Sequence, residues 1–419
     1  MGAEEDLPDL QKIPKPLQEK YYDLARREVE WILNYLTKVD VEFLKPFEDS
    51  VKRAKRGLNR VEWKERTFAV VDGSDTPAID ERIGVKYGLS SACVKAFKGL
   101  EPLEDGELYV GDMLKGSVND SKEEFLKKLD LVTAYLERAL ALRALEEVDY
   151  VVIDGSFFGF RAGCSRVKTK SLNWVDPVSR REFKSVYGLI EELLKMTEKL
   201  LSSRRAFGIV KRVPTSALDG LIGYTYGPGR MLGLSDRSIL LLTTSPGDVI
   251  AYSEIFPEGY YHDVFSLFCS QMEEYGRKGT SVDVERALKG AERRFRLQVV
   301  SDLGRHKDDK RSDELIRLIR STERVFVRTV ESQPPVCLEL PKGAGRDLKD
   351  IAITYVLESH NSATGLPLAL DIVDDLVSLP RRVGTEFVDE IEAELLRRNV
   401  DLRRMRAVFS KINPQKEFE

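Results

Sequence analysis

The pattern of apolar and polar positions alternates between short apolar runs and longer stretches with helical spacing. The runs at 68–71 and 150–153 predict buried strands, because each is short, contains no polar residue and ends in a turn sequence. Further strands or hairpin arms are predicted at about 81–95, 107–111, 207–210, 239–243, 247–257, 325–330 and 336–340. Apolar residues three and four positions apart predict helices at 16–60, 121–147, 183–203, 281–323 and from about 367. This alternation is typical of the α/β class.

The composition indicates a folded protein with a substantial core. The 419 residues are 42% hydrophobic and 32% charged, which excludes global disorder and corresponds to two or three domains or one large core with insertions. The net charge of −4 leaves no overall basic surface, so nucleic-acid contacts would have to come from local clusters.

Cysteine and histidine usage argues against several kinds of metal site. The four cysteines are far apart and only three histidines occur, a pattern unlike a zinc site, a disulfide framework or a His-rich centre. The first residues are acidic and lack an apolar stretch, and no run of about 20 apolar residues occurs. We therefore expect a cytoplasmic protein with neither a signal peptide nor a membrane span.

Two strand ends carry the same sequence, Asp-Gly-Ser, and they begin at Asp72 and Asp154. An aspartate at the carboxyl end of a buried strand lies where α/β sheets bind their ligands. If the two strands are neighbours, the carboxylates face each other, and a divalent cation is the natural way to neutralise them. The alternative is that each Asp-Gly simply closes its strand with a turn. The repetition favours the metal interpretation.

Glu137 is a candidate third ligand on the predicted helix between those strands. The residues on its face of the helix are small (Thr133, Ala134, Ala141 and Ala144), so this face can approach a sheet closely. An ion pair or an exposed charge remains the alternative. Two aspartates and a glutamate are typical of two-metal phosphodiester cleavage, and oxygen-only ligands favour Mn²⁺ or Mg²⁺ over zinc.

Basic residues follow the second Asp-Gly-Ser and surround the next predicted strand. Lys211 comes directly after the apolar run 207–210, at a strand end, where it could neutralise a scissile phosphate. The aromatic residues Phe157, Phe158, Phe160 and Trp174 are interleaved with the first cluster and could stack on unpaired bases. A solvated surface is the alternative for the other basic residues. The two clusters are Arg161, Arg166, Lys168 and Lys170, and Arg204, Arg205, Lys211 and Arg212.

Together these segments resemble the NurA family of prokaryotic nucleases. The resemblance covers about residues 65–378 and rests on the order and spacing of several motifs. They are the two Asp-Gly-Ser strand ends, Gly-Ile-Val-Lys-Arg at 208–212, Leu-Ser-Asp-Arg at 234–237, the segment 325–328, and Gly-Leu-Pro-Leu-Ala-Leu at 365–370.

The resemblance implies a ribonuclease-H-like mixed sheet with flanking helices. The expected domains are a helical N-terminal extension (1–62), a nuclease core (63–378) with a charge-dense helical insertion near 281–323, and a helical tail (379–419). The implied activity is metal-dependent single-strand endonuclease and 5′–3′ exonuclease cleavage of DNA. The implied setting is DNA end resection for double-strand break repair, as a homodimer with a HerA-type hexameric helicase.

The same resemblance assigns Asp72, Asp154 and Glu137 as metal ligands. The C-terminal motif departs from the family pattern, since Leu366 replaces a tyrosine and Asp374 stands at the position of a histidine. Asp374 can ligate a metal in place of the imidazole, and Asp371 shares its helix face. The predicted catalytic residues are therefore Asp72, Glu137, Asp154, Lys211 and Asp374, and the predicted DNA-binding residues are Arg161, Arg166, Lys168, Lys211 and Arg212.

Two other functions fit the sequence. A catalytically weak relative could act mainly as the assembly partner of a DNA-translocating ATPase, because the family tyrosine and histidine are both replaced. A phosphotransferase of the sugar-kinase type could also place Asp-Gly-Ser at phosphate loops, but the chain lacks the additional Gly-rich adenosine motif. It also lacks a Gly-x4-Gly-Lys-[Ser/Thr] loop, His-Glu-x-x-His and Gly-x-Ser-x-Gly.

Overall fold

The computed structural model describes residues 13–36, 44–45, 49, 60–76, 79–278, 283–305 and 311–410. Within these ranges, nine strands form one mixed sheet and two more form a separate ribbon. The strands are β1 (Thr67–Asp75), β2 (Asp80–Glu81), β3 (Lys86–Lys98), β4 (Glu101–Gly116), β5 (Tyr150–Asp154), β6 (Ser171–Val175), β7 (Glu182–Ser185), β8 (Ala206–Val210), β9 (Val249–Ala251), β10 (Thr322–Val327) and β11 (Val336–Pro341).

The helices fill most of the intervals between the strands. They are α1 (Lys15–Leu36), α2 (Lys122–Ala144), α3 (Cys164–Val167), α4 (Val186–Ser203), α5 (Ala217–Tyr226), α6 (Asp236–Thr243), α7 (Tyr252–Ile255), α8 (His262–Arg277), α9 (Val284–Leu303), α10 (Ser312–Ile319), α11 (Arg346–Ser359), α12 (Leu368–Val377), α13 (Val383–Arg397) and α14 (Leu402–Phe409). None of the helices in the described ranges combines the length and the apolar character needed to cross a membrane.

The centre of the sheet has the predicted ribonuclease-H-like arrangement. The order is β4-β3-β1-β5-β8, with β5 parallel to both β1 and β8, and with β3 antiparallel to β1 and β4. Strands β11, β10 and β9 continue the sheet beyond β8 in antiparallel pairs. The carboxyl ends of β1, β5 and β8 therefore lie at one edge. This mixed α/β architecture confirms the predicted fold class.

Side chains alternate between two cores, one on each face of the sheet. In β1, Ala69 and Val71 face the core that contains α2, whereas Phe68 and Val70 face the core that contains α11 and α12. Successive residues of a strand point to opposite faces, so Asp72 continues the series on the α12 face. Gly73 follows on the α2 face. The site is built on this alternation.

The predicted strand at 239–243 is wrong, because this segment is the second half of α6. Ser235 caps the helix by accepting a hydrogen bond from the amide of Ser238. A short apolar run cannot distinguish a buried strand from a buried helix, and here the capping residue decides. The expected hairpin arm at 247–257 reduces to β9 followed by α7, and the strand predicted at 325–330 ends at Val327.

Parts of the predicted helical segments lie outside the described residues. For the helix predicted at 16–60, the structure describes α1 and the isolated residues 44, 45 and 49, and residues 37–43, 46–48 and 50–59 are not described. For the charge-dense segment 281–323, it describes α9 and α10, followed by the start of β10. Residues 281–282 and 306–310 of that segment lie outside the described ranges. The three predicted domains stay a prediction.

Candidate metal and nuclease site

The parallel pairing of β1 and β5 brings Asp72 and Asp154 together. Val71 lies opposite Ile153 in this register, so the next residue of each strand is one of the two aspartates. Both follow the alternation to the α12 face of the sheet. The structure thus unites two acids that are 82 positions apart in the sequence, as the repeated Asp-Gly-Ser motif predicts.

Helix α12 supplies the third carboxylate, and the residue after β8 supplies a lysine ammonium. Oxygen atoms of Asp72, Asp154 and Asp374 all lie within 4.8 Å of one another. Lys211 follows β8 directly, and its Nζ is 2.6 Å from Asp154 Oδ2 and 2.8 Å from Asp374 Oδ1. Asp371 has a different environment, because its Oδ2 accepts hydrogen bonds from Asn361 and Thr364 in the loop before α12.

Glu137 reaches the same edge from the opposite face of the sheet. It lies on α2, which packs against β1 and β3. A Cβ atom on Gly73 would come within 2.7 Å of Glu137 Oε1 and 2.8 Å of Thr133 Cγ2, so the missing side chain of Gly73 makes room for Glu137. The helix face of small residues and Gly73, which lies within β1, therefore pack closely against each other.

The electrostatics of Asp72 reflect both burial and neighbouring acids. Desolvation, followed by the charges of Asp154 and Glu137, raises the pKa of Asp72 to about 9. Burial likewise raises the pKa of Asp154, although the ammonium of Lys211 opposes the shift. The three aspartates, only partly neutralised by Lys211, form a site suited to a divalent cation. Glu137 does not belong to the group whose oxygen atoms lie within 4.8 Å of one another.

The pKa values of Lys211 and Glu137 are also shifted by burial and by neighbouring charges. Burial lowers the pKa of Lys211, but the charge and hydrogen bond of Asp154 outweigh it and raise the pKa above its ordinary value. Burial raises the pKa of Glu137 to about 7 against the opposing charge of Arg138. Lys211 is therefore a fixed positive charge at the site.

A cleft of about 560 Å³ opens beside these acids. Glu137 and Asp154 line it together with Gly73 and Ser74 of β1 and the loop residues Gly155 and Ser156. Arg212 lies at its wall with an exposed side chain. Arg212 is the predicted DNA-binding residue that borders the carboxylate site in addition to Lys211.

The other predicted DNA-binding residues lie elsewhere. Arg161 is 3.5 Å from Asp263 Oδ2, and Lys168 donates hydrogen bonds to the carbonyls of Ser301 and Gly304 at the end of α9. Arg166 is exposed. The structure thus shows structural contacts for Arg161 and Lys168, and a DNA-binding role for these three residues stays a prediction.

The aromatic residues near this basic cluster do not form a stacking platform. Phe157, Phe158, Phe160 and Trp174 are at most 7% exposed and belong to the core on the α2 face. The expectation that they stack on bases was wrong, because all four side chains pack into the core. A buried aromatic ring contributes to the core instead.

Arg138 is a site-adjacent residue that the sequence pattern did not single out. Its guanidinium is buried and contacts both Glu137 and the loop after Asp154. In sequence it is one of three charges in an otherwise apolar helical stretch. An arginine that a helical pattern places towards the core is the signal that could have identified it.

The fold and the site define a ribonuclease-H-like protein with a carboxylate cluster of the kind that holds divalent cations. The NurA domain model matches residues 66–379, which is most of the chain. The chain therefore belongs to the NurA domain family, as its sequence motifs indicate.

Several solved structures are similar to this chain, and the first of those that follow supports the fold. The NurA nuclease from Sulfolobus solfataricus matches with a TM-score of 0.52 at 13% identity, over 93% of this chain and 99% of that one. A structure of NurA bound to dAMP and manganese matches at 11% identity and a TM-score of 0.36, over 87% and 97% of the two chains. Endonuclease V from Bacillus subtilis matches at 11% identity and a TM-score of 0.29, over 85% and 94%. No curated protein matches the chain.

Proposed function

We propose that this protein is a Mn²⁺- or Mg²⁺-dependent DNA nuclease. The observation that carries the proposal is the convergence of Asp72, Asp154 and Asp374 within 4.8 Å, beside Lys211. Oxygen-only donors fit hard divalent cations. Membership of the NurA domain family and the nuclease named in the similar Sulfolobus structure support the same conclusion.

Each residue has a distinct task in this proposal. Asp72, Asp154 and Asp374 hold the cation, and Glu137 contributes a further carboxylate from the α2 side. A bound divalent cation would supply a lower pKa for a water molecule and would neutralise charge on the phosphate. Lys211 offers its ammonium to the scissile phosphate, and Arg212 holds a neighbouring phosphate along the cleft.

We extend the proposal to the cellular setting that the family resemblance implies. The protein acts in the cytoplasm as a homodimer, cleaves single-stranded DNA internally and degrades it from 5′ to 3′. It does so with a HerA-type hexameric ATPase during end resection for double-strand break repair. DNA labelled at either end tests the polarity, and light scattering tests the dimer. Stimulation by a HerA-type ATPase tests the partnership.

The central test uses purified protein, labelled single-stranded DNA and Mn²⁺ or Mg²⁺, with a chelator as the metal-free arm. Asp72→Ala and Asp154→Ala should abolish metal-dependent shortening of the DNA. Asp374→Asn should also reduce it, whereas Asp375→Asn is the matched control, since Asp375 is an exposed acid on the same helix.

The outcomes separate the candidate functions. Cleavage that persists in both alanine variants would reject the proposed site. Uncut DNA together with retained binding to the ATPase would support the assembly-partner function. ATP consumption by the protein alone would support a phosphotransferase.

A further inference from the structure

Arg138 connects Glu137 on α2 to the loop that follows Asp154. Its Nη1 donates a hydrogen bond to Glu137 Oε2 at 3.1 Å, and its Nη2 donates to the carbonyl oxygen of Ser156 at 3.0 Å. Ser156 lies two residues after Asp154. The side chain of Arg138 is 3% exposed, so bulk water does not compete for these contacts. One guanidinium thus ties a predicted ligand on α2 to the loop that follows a predicted ligand on β5.

The loop 155–157 is held at each of its residues. The amide of Gly155 donates to the carbonyl of Ile209 at 2.8 Å, and the amide of Phe157 donates to Glu339 Oε2 at 2.8 Å. A Cβ atom on Gly208 would clash with the Gly155 carbonyl oxygen, so the glycine in β8 lets this loop approach closely. Arg138 fixes the middle residue, Ser156.

The contacts of Arg138 fix the positions of its partners but do not satisfy all of its own hydrogen-bond donors. Its Nε is buried and has no hydrogen-bond partner among the described residues, which is an unfavourable arrangement in a core. Its other donors, on the planar guanidinium fork, reach a carboxylate and a backbone carbonyl at the same time. A lysine ammonium is a single point charge and does not reproduce this fork.

We propose that Arg138 is a positioning residue, which holds the Glu137 carboxylate and the loop 155–157 so that Glu137 and Asp154 bind the cation together. The inference rests on the proposed metal-dependent function and names a residue in support of it. Groups that orient metal ligands contribute to affinity almost as the ligands do.

The experiment compares Arg138→Met and Arg138→Lys with the wild type and with Arg143→Met. Arg143 lies on the same helix but is exposed, so its removal is the matched control. Mn²⁺ affinity is measured by calorimetry, and cleavage of single-stranded DNA is measured at saturating Mn²⁺. For Arg138→Met we expect Mn²⁺ binding that is about 10–100-fold weaker and a lower kcat, with the KM for DNA unchanged.

Arg138→Lys keeps the buried positive charge and should show an intermediate loss, while Arg143→Met should match the wild type. Circular dichroism and thermal melts check that each variant is folded. Wild-type Mn²⁺ affinity and kcat in folded Arg138→Lys and Arg138→Met would overturn the proposal. Unfolding of both variants would also overturn it, since the role would then be structural.

The same measurements distinguish failure of this proposal from failure of the proposed function. A wild-type protein that binds Mn²⁺ without cutting DNA would reject the nuclease, and the Mn²⁺ affinities would still test Arg138. A wild-type protein that binds no Mn²⁺ would reject both.

Discussion

Two groups of aspartates in this protein have opposite surroundings. Asp219 and Asp236 are fully buried in the helical region beyond β8, and each accepts several hydrogen bonds. Asp219 accepts from the amides of Leu232 and Gly233 at 2.6 and 2.8 Å. The partners of Asp236 are the hydroxyls of Thr215 and Tyr252 and the amide of Leu218. The fold itself therefore satisfies these carboxylates.

The aspartates of the site have other acids among their neighbours. Asp72 is 6% exposed, and its neighbours include the acids Asp154 and Glu137. Burial raises the pKa of Asp219 as it raises that of Asp72, but backbone donors oppose the shift at Asp219, while further carboxylates increase it at Asp72. Burial alone thus does not mark a metal site. A buried acid grouped with several other acids, which one lysine only partly neutralises, does.

The largest expected effect is on cleavage when the site acids are neutralised. Asp72→Asn or Asp154→Asn keeps the side-chain size and removes one charge from the cluster. A bound metal contributes several kcal/mol to the transition state, so cleavage of single-stranded DNA should fall about 10³-fold. Rates measured with saturating Mn²⁺ on folded protein check this. A loss below tenfold in both variants would contradict the assignment.

The next effect concerns Lys211, the cation between Asp154 and Asp374. Lys211→Met removes a charge that repels Mn²⁺ but that we place beside the scissile phosphate. Cleavage should therefore fall about 10²-fold, as for loss of one transition-state donor, while Mn²⁺ binds at least as tightly as before. Calorimetry and rate measurements on the same samples separate the two effects. Weaker Mn²⁺ binding would show that Lys211 supports the metal site.

The sequence predicted the parts of the site that depend on local pattern. Asp154 could be identified because a short apolar run followed by Asp-Gly marks a strand end, and β5 does end there. The same rule identified Asp72, but the strand end predicted there was wrong. β1 continues through Asp-Gly-Ser to Asp75 in its pairing with β3, and only its parallel pairing with β5 stops at Val71. Asp374 came from the family resemblance and not from the pattern. Asp219 and Asp236 were not identified as buried, because their partners are brought together only by the folded chain.

The errors have the same origin. The run 239–243 has strand-like composition, yet a capping serine makes it the end of α6. Phe157 lies beside basic residues in the sequence, yet it packs into the core. The role of Gly73 also needs tertiary structure, since it depends on how closely α2 approaches β1. Patterns along the chain predict elements, whereas burial of polar and aromatic groups depends on contacts between them.

A third prediction concerns the pH dependence of Mn²⁺ binding at the site. The pKa of Asp72 is raised to about 9 and that of Glu137 to about 7, so at lower pH both hold protons that a metal must displace. Apparent Mn²⁺ affinity should therefore rise with pH between 6 and 9, by up to about tenfold per pH unit for each proton released. Calorimetry in buffers of different ionisation enthalpy counts these protons. Asp72→Asn should release fewer, and a pH-independent affinity in the wild type would contradict the prediction.

The smallest expected effect is on the stability of the metal-free protein. It is measured with Asn variants of one aspartate from each group, and the two variants should change stability in opposite directions. Burial and the neighbouring acids raise the pKa of Asp72 above its ordinary value in the metal-free native state. At pH 7 the coupled pair of Asp72 and Asp154 therefore holds a proton that the unfolded chain has released. The free energy of unfolding therefore falls as pH rises between about 4 and 9, and Asp72→Asn should remove this loss and stabilise the metal-free protein. Asp219→Asn turns an amide N–H towards backbone donors and should destabilise it by about 1–3 kcal/mol.

Urea unfolding without metal measures both variants. Asp219→Asn should leave Mn²⁺ affinity and cleavage per folded molecule unchanged, because Asp219 contacts Leu232 and Gly233 instead of the carboxylate cluster. Equal signs for the two stability changes would mean that the site acids serve the fold in the same way as Asp219. If the site gives up stability for metal binding, the two stability changes should have opposite signs, and only Asp72→Asn should lose activity.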